Sequence, residues 1–278
     1  MKRLIPALAT SAIATPALAQ EAMYTEAATM PSPGTFVLRE QFHYIRFGAN
    51  PETGSDSIER YEWMHSLQYG IVRGLSLKVD VPMEWRTERD FRDGSSDDSS
   101  FGVGEIDLML KWRFFQDDSG GIDTLRAALM GGATLPSGDG HDFSENAVSP
   151  MIGAVVTKVF GRHGFNQDLF FKWNTNGSER YNFGGDGPSE AVFHNSAYLF
   201  RIVPDQYTAE STGAWYTTIE LSGIYETNGD YELLWAPGIM YEGQLFAFEL
   251  MAQLPLYNDL DERPELDFRI GFGLRFAF

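Results

Sequence analysis

The chain has 278 residues and a formal net charge of −18, because 39 Asp and Glu residues outnumber 21 Lys and Arg residues. So acidic a chain is not expected to bind nucleic acid, whose phosphates require a basic surface. It contains no cysteine, which excludes disulfides, thiolate metal sites and cysteine nucleophiles. No dinucleotide-binding, Walker A or HExxH motif is present in the sequence, so we expect no cofactor and no structural zinc.

The first residues are typical of a secretory signal peptide. Met1 to Arg3 form a basic start, residues 4–14 are mostly apolar, and Ala17-Leu18-Ala19 matches a cleavage site. We therefore predict that residues 1–19 are removed. Residues 20–34 contain two prolines and a glycine and are expected to form a flexible periplasmic lead-in. No later stretch is apolar over about 18 residues, so no transmembrane helix is predicted.

The last stretch of the chain, residues 264–278, alternates between two kinds of side chain. Apolar residues share one face, whereas charged residues, glycines and an alanine share the other. This alternation indicates a β-strand with one apolar face, which either a soluble sandwich or an outer-membrane barrel could contain. The chain ends on Phe278, and this ending resembles the C-terminal signature that the barrel assembly machinery recognises in bacterial outer-membrane barrels. We therefore expect Phe278 to be an assembly signal, with a soluble edge strand as the alternative.

Residues 35–278 are predicted to form one all-β domain, an antiparallel transmembrane up-and-down β-barrel of about twelve strands. The proposed strands are 35–48, 59–71, 74–86, 102–116, 123–135, 147–160, 164–174, 189–202, 212–226, 230–241, 244–255 and 264–278. Long and short connections alternate over the first seven, as expected for a barrel with short periplasmic turns and longer external loops. Pro150 and Pro237 fall inside proposed strands and predict bulges or shifted strand ends. Glu40 falls on a face that is otherwise assigned to lipid.

Five tryptophans are predicted to lie at the membrane interfaces. Trp63, Trp85 and Trp173 fall near the outer ends of their strands, and Trp112 and Trp215 fall near the periplasmic ends. Amphipathic rings favour headgroup depth, so we expect two belts in contact with outer-membrane lipid and lipopolysaccharide. Ordinary core aromatics are the alternative interpretation.

Charged residues occupy the strand faces opposite the lipid-facing side chains. On the lipid side an Arg or Lys would cost about 2–4 kcal/mol near the midplane, so these residues are predicted to line the lumen. The predicted lumen-lining charges are Arg39, Glu62, Lys78, Asp80, Glu84, Arg86, Glu105, Asp107, Lys111, Arg113, Arg126, Lys172, Glu220, Glu249, Asp267, Arg269 and Arg275. They could form a polar constriction that selects solutes by charge, or they could pair into a salt-bridged plug. The constriction is the favoured hypothesis.

Two segments carry a family resemblance. Residues 101–114 resemble a G-x-G-[DE] strand start followed by alternating apolar residues and a basic end, although Glu105 stands where Asp is expected. Residues 127–139 resemble a G-x-x-L-P-[ST]-G-D segment one hairpin later. Together they resemble the outer-membrane transporter family associated with the meta-pathway of phenol degradation. The resemblance implies an outer-membrane channel or transporter without catalytic residues.

The predicted function is therefore passive uptake of small solutes across the bacterial outer membrane, which the chain reaches after export through the periplasm. The family resemblance extends the candidate solutes to aromatic or hydrophobic compounds. A structural outer-membrane barrel with a plugged lumen is the alternative.

Two further kinds of site compete with this prediction. His194 and Ser196 share a strand face, which makes a barrel hydrolase acting on lipids an alternative. No third residue is in place to orient the imidazole, so no catalytic residue is predicted. The acidic loop at 87–100 could hold Ca²⁺, but it lacks EF-hand spacing. We expect a solvated acidic loop and predict no metal site.

Overall fold

The computed structural model of the chain describes residues 20–50, 55–89, 98–119, 123–139, 143–144, 146–175, 190–208 and 210–278. The strands are β1 (Phe36–Phe47), β2 (Ser57–Val72), β3 (Leu75–Arg89), β4 (Asp98–Val103), β5 (Ile106–Ser119), β6 (Asp123–Leu135), β7 (Ser149–Phe160), β8 (His163–Trp173), β9 (Glu190–Val203), β10 (Gly213–Glu226), β11 (Tyr231–Gly243), β12 (Phe246–Asp259) and β13 (Leu266–Ala277). Over these ranges no helix is long and apolar enough to cross a bilayer.

The strands close into one antiparallel barrel. From β5 onward each strand pairs with the next, and β1 pairs with both β13 and β2 to complete the ring. β3 pairs with β2 on one side, and with β4 and then β5 on the other. β4 and β5 therefore share one position in the wall, so the 13 strands of the described ranges fill twelve positions. The predicted all-β up-and-down barrel of about twelve strands is confirmed. Over the described residues every strand has a partner on both sides except β4, which pairs with β3 alone.

Two prolines coincide with irregularities in the barrel wall. Pro82 has no N–H for the ladder, and the neighbouring strand breaks beside it at Gly104, whose N–H donates to the Pro82 carbonyl at 2.8 Å. A Cβ on Gly104 would lie only 2.8 Å from Pro82 Cγ, so the close approach requires glycine. The β11–β12 ladder lacks a pair at Pro237 but keeps its register across it, and its shift lies between Leu233 and Leu234. Pro150 keeps a regular register with β6, so the bulges predicted at Pro150 and Pro237 are not found.

The two ends of the barrel differ in their connections. One end carries the connections 73–74, 120–122, 161–162, 204–212 and 244–245, and we name it the turn end. The opposite end carries the connections 48–56, 90–97, 136–148, 174–189, 227–230 and 260–265, and we name it the loop end. β1 begins and β13 finishes at the turn end, so the lead into the first strand approaches the lumen from that side.

The outer surface of the barrel is apolar, and all five predicted interface tryptophans are exposed on it by 38–55%. Trp85 and Trp173 lie towards the loop end and Trp112 and Trp215 towards the turn end, whereas Trp63 lies nearer to the middle of β2. Trp235, which is 38% exposed near the loop end, belongs to the same surface and is absent from the predicted set. A closed barrel with an apolar exterior is the form that spans a bilayer, which confirms the predicted outer-membrane location.

Candidate solute pathway in the barrel lumen

The lumen contains the N-terminal region of the chain itself. Residues 20–31, which we name the inner segment, lie inside the turn-end half of the barrel, where Ala22, Ala27 and Ala28 are at most 1% exposed. The chain then returns to the turn end, where Gly34 donates to the Gly70 carbonyl at 2.8 Å before β1 begins. This arrangement differs from the flexible periplasmic lead-in expected for residues 20–34, because the barrel wall supplies partners for the segment's backbone.

Glu220 on β10 is the main anchor of the inner segment. Its carboxylate accepts five hydrogen bonds, from the backbone N–H groups of Met23, Tyr24 and Thr25 and from the Thr25 hydroxyl, at 2.7–3.2 Å. Three successive N–H groups converge on one carboxylate, which is fully buried. Because four donors on three successive residues converge on its two oxygens, Glu220 fixes both the position and the direction of the segment.

Further wall residues bind the backbone on either side of this anchor. Glu26 N donates to Asp168 Oδ2 at 2.7 Å, and Ala28 N donates to Thr157 Oγ1 at 2.8 Å. Nearer the start of the segment, Asn166 Nδ2 donates to the Gln20 carbonyl at 2.9 Å. β7 and β8 therefore hold the inner segment through polar side chains that alternate with their lipid-facing residues.

The Glu26 carboxylate is the charged centre of the inner segment. Lys78 Nζ lies 2.9 Å from its Oε2, and Lys111 Nζ binds its Oε1 and the Ala27 carbonyl. Burial alone would raise the pKa of Glu26, but Lys111 and Lys78 outweigh it and lower the pKa below its ordinary value. Glu26 is thus ionised and paired at neutral pH.

A second ion cluster joins the start of the inner segment to the barrel seam. Glu249 on β12 pairs with Arg39 on β1 at 2.9 Å and with Arg275 on β13 at 3.0 Å. Arg39 also donates to the Ala22 carbonyl at 2.6 Å, and Arg275 donates to the Glu21 carbonyl at 2.8 Å. The same arginines therefore neutralise Glu249 and hold the segment against the closing strands.

Glycines on the lumen wall leave the room that the inner segment occupies. A Cβ on Gly70 would lie 2.2 Å from the Ser32 carbonyl oxygen, just beyond the segment, and one on Gly164 would lie 2.4 Å from Gln20 Oε1. A Cβ on Gly271 would lie 2.6 Å from Met23 Sδ. The absence of side chains at these positions makes the wall complementary in shape to the segment.

A cavity of about 290 Å³ lies on the loop-end side of the inner segment. Tyr24 and Glu26 of the inner segment form part of its lining. Strands β3 and β5–β9 supply the remaining lining residues, which are Lys78, Asp80, Asp107, Met109, Met130, Thr134, Met151, Asp168, Phe170, Lys172, Phe193 and Asn195. The cavity therefore combines an apolar surface of methionine and phenylalanine with charges of both signs.

The predicted lumen charges separate into groups by position. Lys78, Lys111, Glu220, Glu249 and Arg275 bind the inner segment or its partners, and Arg269 lies 5.5 Å from the Tyr24 ring centre. Lys78, Asp80, Asp107 and Lys172 line the cavity. Arg113 is part-buried towards the turn end, where Arg126 pairs with Asp118 at 3.1 Å.

Three other predicted lumen charges lie towards the loop end. Glu84 lies 3.8 Å from Arg86, and Glu105 accepts a hydrogen bond from Ser144 at 2.8 Å. All three of these predicted residues are buried. Their partners among the described residues place them at the mouth of the barrel.

Asp267 departs from its predicted place in the lumen. The β1–β13 register shifts between Arg46 and Phe47, and Asp267 has no partner in the ladder there. Its side chain is 46% exposed and lies 3.3 Å from Arg46. A bulge reverses the side-chain alternation on one strand, which is why simple parity assigns Asp267 to the lumen.

Two groups outside the lumen bear on the alternative functions. His194 Nε2 lies 3.3 Å from the Tyr231 hydroxyl, and no hydrogen bond joins His194 to Ser196 among the described residues. Asp90, Asp93 and Asp97 of the acidic loop lie outside the described residues. The described part of the chain contains no cluster of three metal-binding side chains.

Comparison with known proteins supports the barrel fold. No family model and no curated protein matches the chain. Among solved structures, the COG4313 outer membrane channel from Pseudomonas putida F1 is 15% identical, with a TM-score of 0.61 over 90% of this chain and 97% of that one. The beta domain of the Bordetella autotransporter BrkA is 9% identical, with a TM-score of 0.51 over 88% of this chain and 100% of that one. Such similarity shows an outer-membrane barrel fold, and the resemblance to the phenol meta-pathway family is not confirmed.

Proposed function

We propose that the chain is an outer-membrane channel for small solutes, in which the inner segment closes the passage towards the turn end. The cavity carries this proposal, because Tyr24 and Glu26, which belong to no strand, separate it from the turn end. The inner segment is held by hydrogen bonds and ion pairs and is joined to the wall covalently only where it leads into β1. It can therefore leave the lumen without breaking the ladder of any strand.

The cavity lining also limits the kind of solute. Three methionines and two phenylalanines offer an adaptable apolar surface, which suits the aromatic or hydrophobic compounds that the family resemblance implies. Lys172 and Asp107 in the same lining favour a solute that also carries a polar or charged group. A volume of about 290 Å³ admits only a small molecule of this kind.

A structural barrel with a permanently plugged lumen is the second candidate. The ion pairs of Glu26 and Glu249 favour it, because buried pairs of this kind resist separation once they form. A barrel hydrolase has less support, since His194 contacts Tyr231 and not the Ser196 hydroxyl.

Planar-bilayer conductance distinguishes these candidates. We expect small or intermittent currents from the mature chain and larger, steady currents from a variant that lacks residues 22–30. Both proteins should shift in mobility on a gel when boiled, which shows that each barrel is folded. If the folded deletion variant stays silent at every voltage, the channel proposal is wrong and the plugged structural barrel replaces it.

A further inference from the structure

Glu40 is a carboxylate on the lipid-facing side of the barrel. Its neighbour Arg39 points into the lumen towards Glu249, and strand alternation turns Glu40 to the opposite side together with Phe42, which is 40% exposed. The β1 register places Glu40 beside His65 on β2 and beside Leu274 on β13. Glu40 therefore faces outward, as its position in the sequence predicts, and the imidazole of His65 lies next to it.

This pair lies near the middle of the membrane. Towards the turn end, Phe36 packs against Tyr69 with ring centres 4.6 Å apart, and towards the loop end Tyr44 packs against Tyr61 at 5.0 Å. Glu40 is halfway between these aromatic clusters along β1. Four tilted strand residues in each direction correspond to a depth of about 10 Å, so Glu40 lies near the centre of an apolar band about 25 Å tall.

The contacts of Glu40 use only part of its bonding capacity. Trp63 Nε1 donates to Glu40 Oε2 at 2.7 Å, and His65 Nδ1 lies 2.7 Å from the same oxygen. Among the described residues, neither Glu40 Oε1 nor His65 Nε2 has a hydrogen-bond partner. Lipid chains offer no donor or acceptor, and ionisable residues at this depth usually mark a protein contact or a functional site.

We propose that the outer face of β1–β3 pairs with a second copy of this chain, around a two-fold axis that passes between Glu40 and His65. A two-fold interface requires that a surface complement itself. Each His65 would bond through Nε2 to Glu40 Oε1 of the second copy, while its Nδ1 stays 2.7 Å from Glu40 Oε2 of its own chain. The four groups then form a closed ring, and both atoms left open in one barrel are satisfied.

The apolar residues around Glu40 and His65 are also suited to contact with a second copy of the chain. Trp63 stacks on Phe42 with ring centres 5.0 Å apart, and Leu67, two residues beyond His65 on the same side, is 38% exposed. These side chains would surround the ring of Glu40 and His65 groups and exclude lipid from it. The proposal is independent of solute passage, because it concerns the exterior of the barrel alone.

Cross-linking tests the proposal without background, since the chain has no cysteine. Arg73 lies in the turn between β2 and β3, below the proposed interface, whereas Asp205 lies in the connection between β9 and β10 on the opposite side. In liposomes, Arg73→Cys should form covalent dimers with a bis-maleimide, and Asp205→Cys should remain monomeric. Adding Glu40→Leu and His65→Leu to Arg73→Cys should reduce the dimer fraction at least fivefold.

A matched control distinguishes the effect of the Glu40–His65 pair from the effect of replacing any outward-facing polar residue by leucine. Gln167 also faces outward, on β8, and Gln167→Leu should leave the Arg73→Cys dimer unchanged. Mobility shifts on boiling confirm that each variant is folded. Equal cross-linking at Arg73→Cys and Asp205→Cys, no cross-linking at either, or dimers that persist after both leucine substitutions would each overturn the proposal.

Discussion

Thr25 donates to Glu220 twice, from its backbone N–H and from its hydroxyl, and each donor lies 2.7 Å from Glu220 Oε2. These residues are 195 positions apart, so the contact joins the first described residues to the tenth strand of a thirteen-strand wall. The ladder of the barrel closes without this contact. We therefore infer that the contact between Thr25 and Glu220 holds the inner segment in place.

Glu220→Leu should release the inner segment. The substitution removes the carboxylate that accepts from four donors of the inner segment, and a typical hydrogen bond contributes about 0.5–1.5 kcal/mol. We expect single-channel conductance to rise towards that of the chain lacking residues 22–30. Glu232→Gln is the matched control, because Glu232 is a buried wall carboxylate that pairs with Arg263 and not with the segment. Unchanged conductance in folded Glu220→Leu would contradict the prediction.

Gly271→Val should displace the inner segment by steric overlap. Even a Cβ at this position would lie 2.6 Å from Met23 Sδ and 2.9 Å from the Tyr24 hydroxyl. A glutamate-specific protease added to the turn end should then cleave after Glu26, whereas the wild-type segment is protected by burial. Gly131→Val is the control, since a Cβ there meets nothing within 4 Å. If the protease cleaves Gly271→Val no faster than wild type, the inner segment has stayed in place and the barrel wall has moved to accommodate the valine.

The wall of the barrel is largely predictable from the sequence, because a lipid-facing side chain must be apolar wherever it lies. The predicted strand 123–135 coincides with β6, and the other strands differ from prediction by a few residues. The stretch 102–116 is the exception, since it breaks at Gly104 beside Pro82. Pro82 belongs to another strand, and a break imposed by a neighbour leaves no mark in the local alternation.

The contents of the lumen are less predictable, for a related reason. The inner segment binds largely through backbone N–H and carbonyl groups, which do not depend on the identity of the side chain, so its own sequence does not predict the contact. Some partners of the inner segment are predictable from the sequence. Asp168 lies on the same face as Lys172 in the predicted strand 164–174, so the alternation that assigns Lys172 to the lumen also assigns Asp168 to it. The partnership between Glu26 and Lys111 depends on the fold and has no sequence signal.

Removal of Phe278 should impair assembly of the barrel. Phe36 N donates to the Phe278 carbonyl at 2.7 Å, and Phe278 N donates to the Phe36 carbonyl at 3.0 Å, so the last residue extends the seam between β1 and β13. We expect the chain without Phe278 to yield much less heat-modifiable barrel in outer-membrane fractions. Phe278→Tyr, which keeps an aromatic ring and both backbone bonds, should restore assembly. Equal yields for all three chains would exclude an assembly role for this residue.

The ion pairs of Glu26 should stay intact under mild acid. Burial opposes ionisation of Glu26, but Lys111 and Lys78 lower its pKa below the ordinary value by a larger amount. A depressed carboxyl pKa contributes stability above the unfolded pKa and loses it as pH falls through the folded pKa. Because the ordinary value is about 4.3, we expect the ion pairs of Glu26 to stay intact between about pH 8 and about pH 5 and to cause no change of conductance over that range. Opening of the channel within this range would show that another group controls the segment.

Lys111→Met should have opposite consequences with and without the inner segment. Lys111 is fully buried, and each of its side-chain partners in the described structure, namely Glu26 and the Ala27 and Thr29 carbonyls, belongs to that segment. In the whole chain the substitution removes one member of a buried ion pair, which costs about 3–5 kcal/mol. In the chain lacking residues 22–30 these partners are gone and water can reach position 111, so the same substitution should lie within about 1 kcal/mol of neutral.

Urea unfolding in detergent micelles, followed by the mobility of the unboiled protein, measures both effects on one scale. The difference between the two backgrounds gives the coupling between Lys111 and the inner segment, and the control Lys158→Met should show no such difference, because Lys158 has no contact with the segment in the described structure. A large loss of stability in both backgrounds would mean that Lys111 supports the wall itself. A negligible loss in both would mean that its bonds to Glu26 and Ala27 add little beyond those of Lys78 and Glu220.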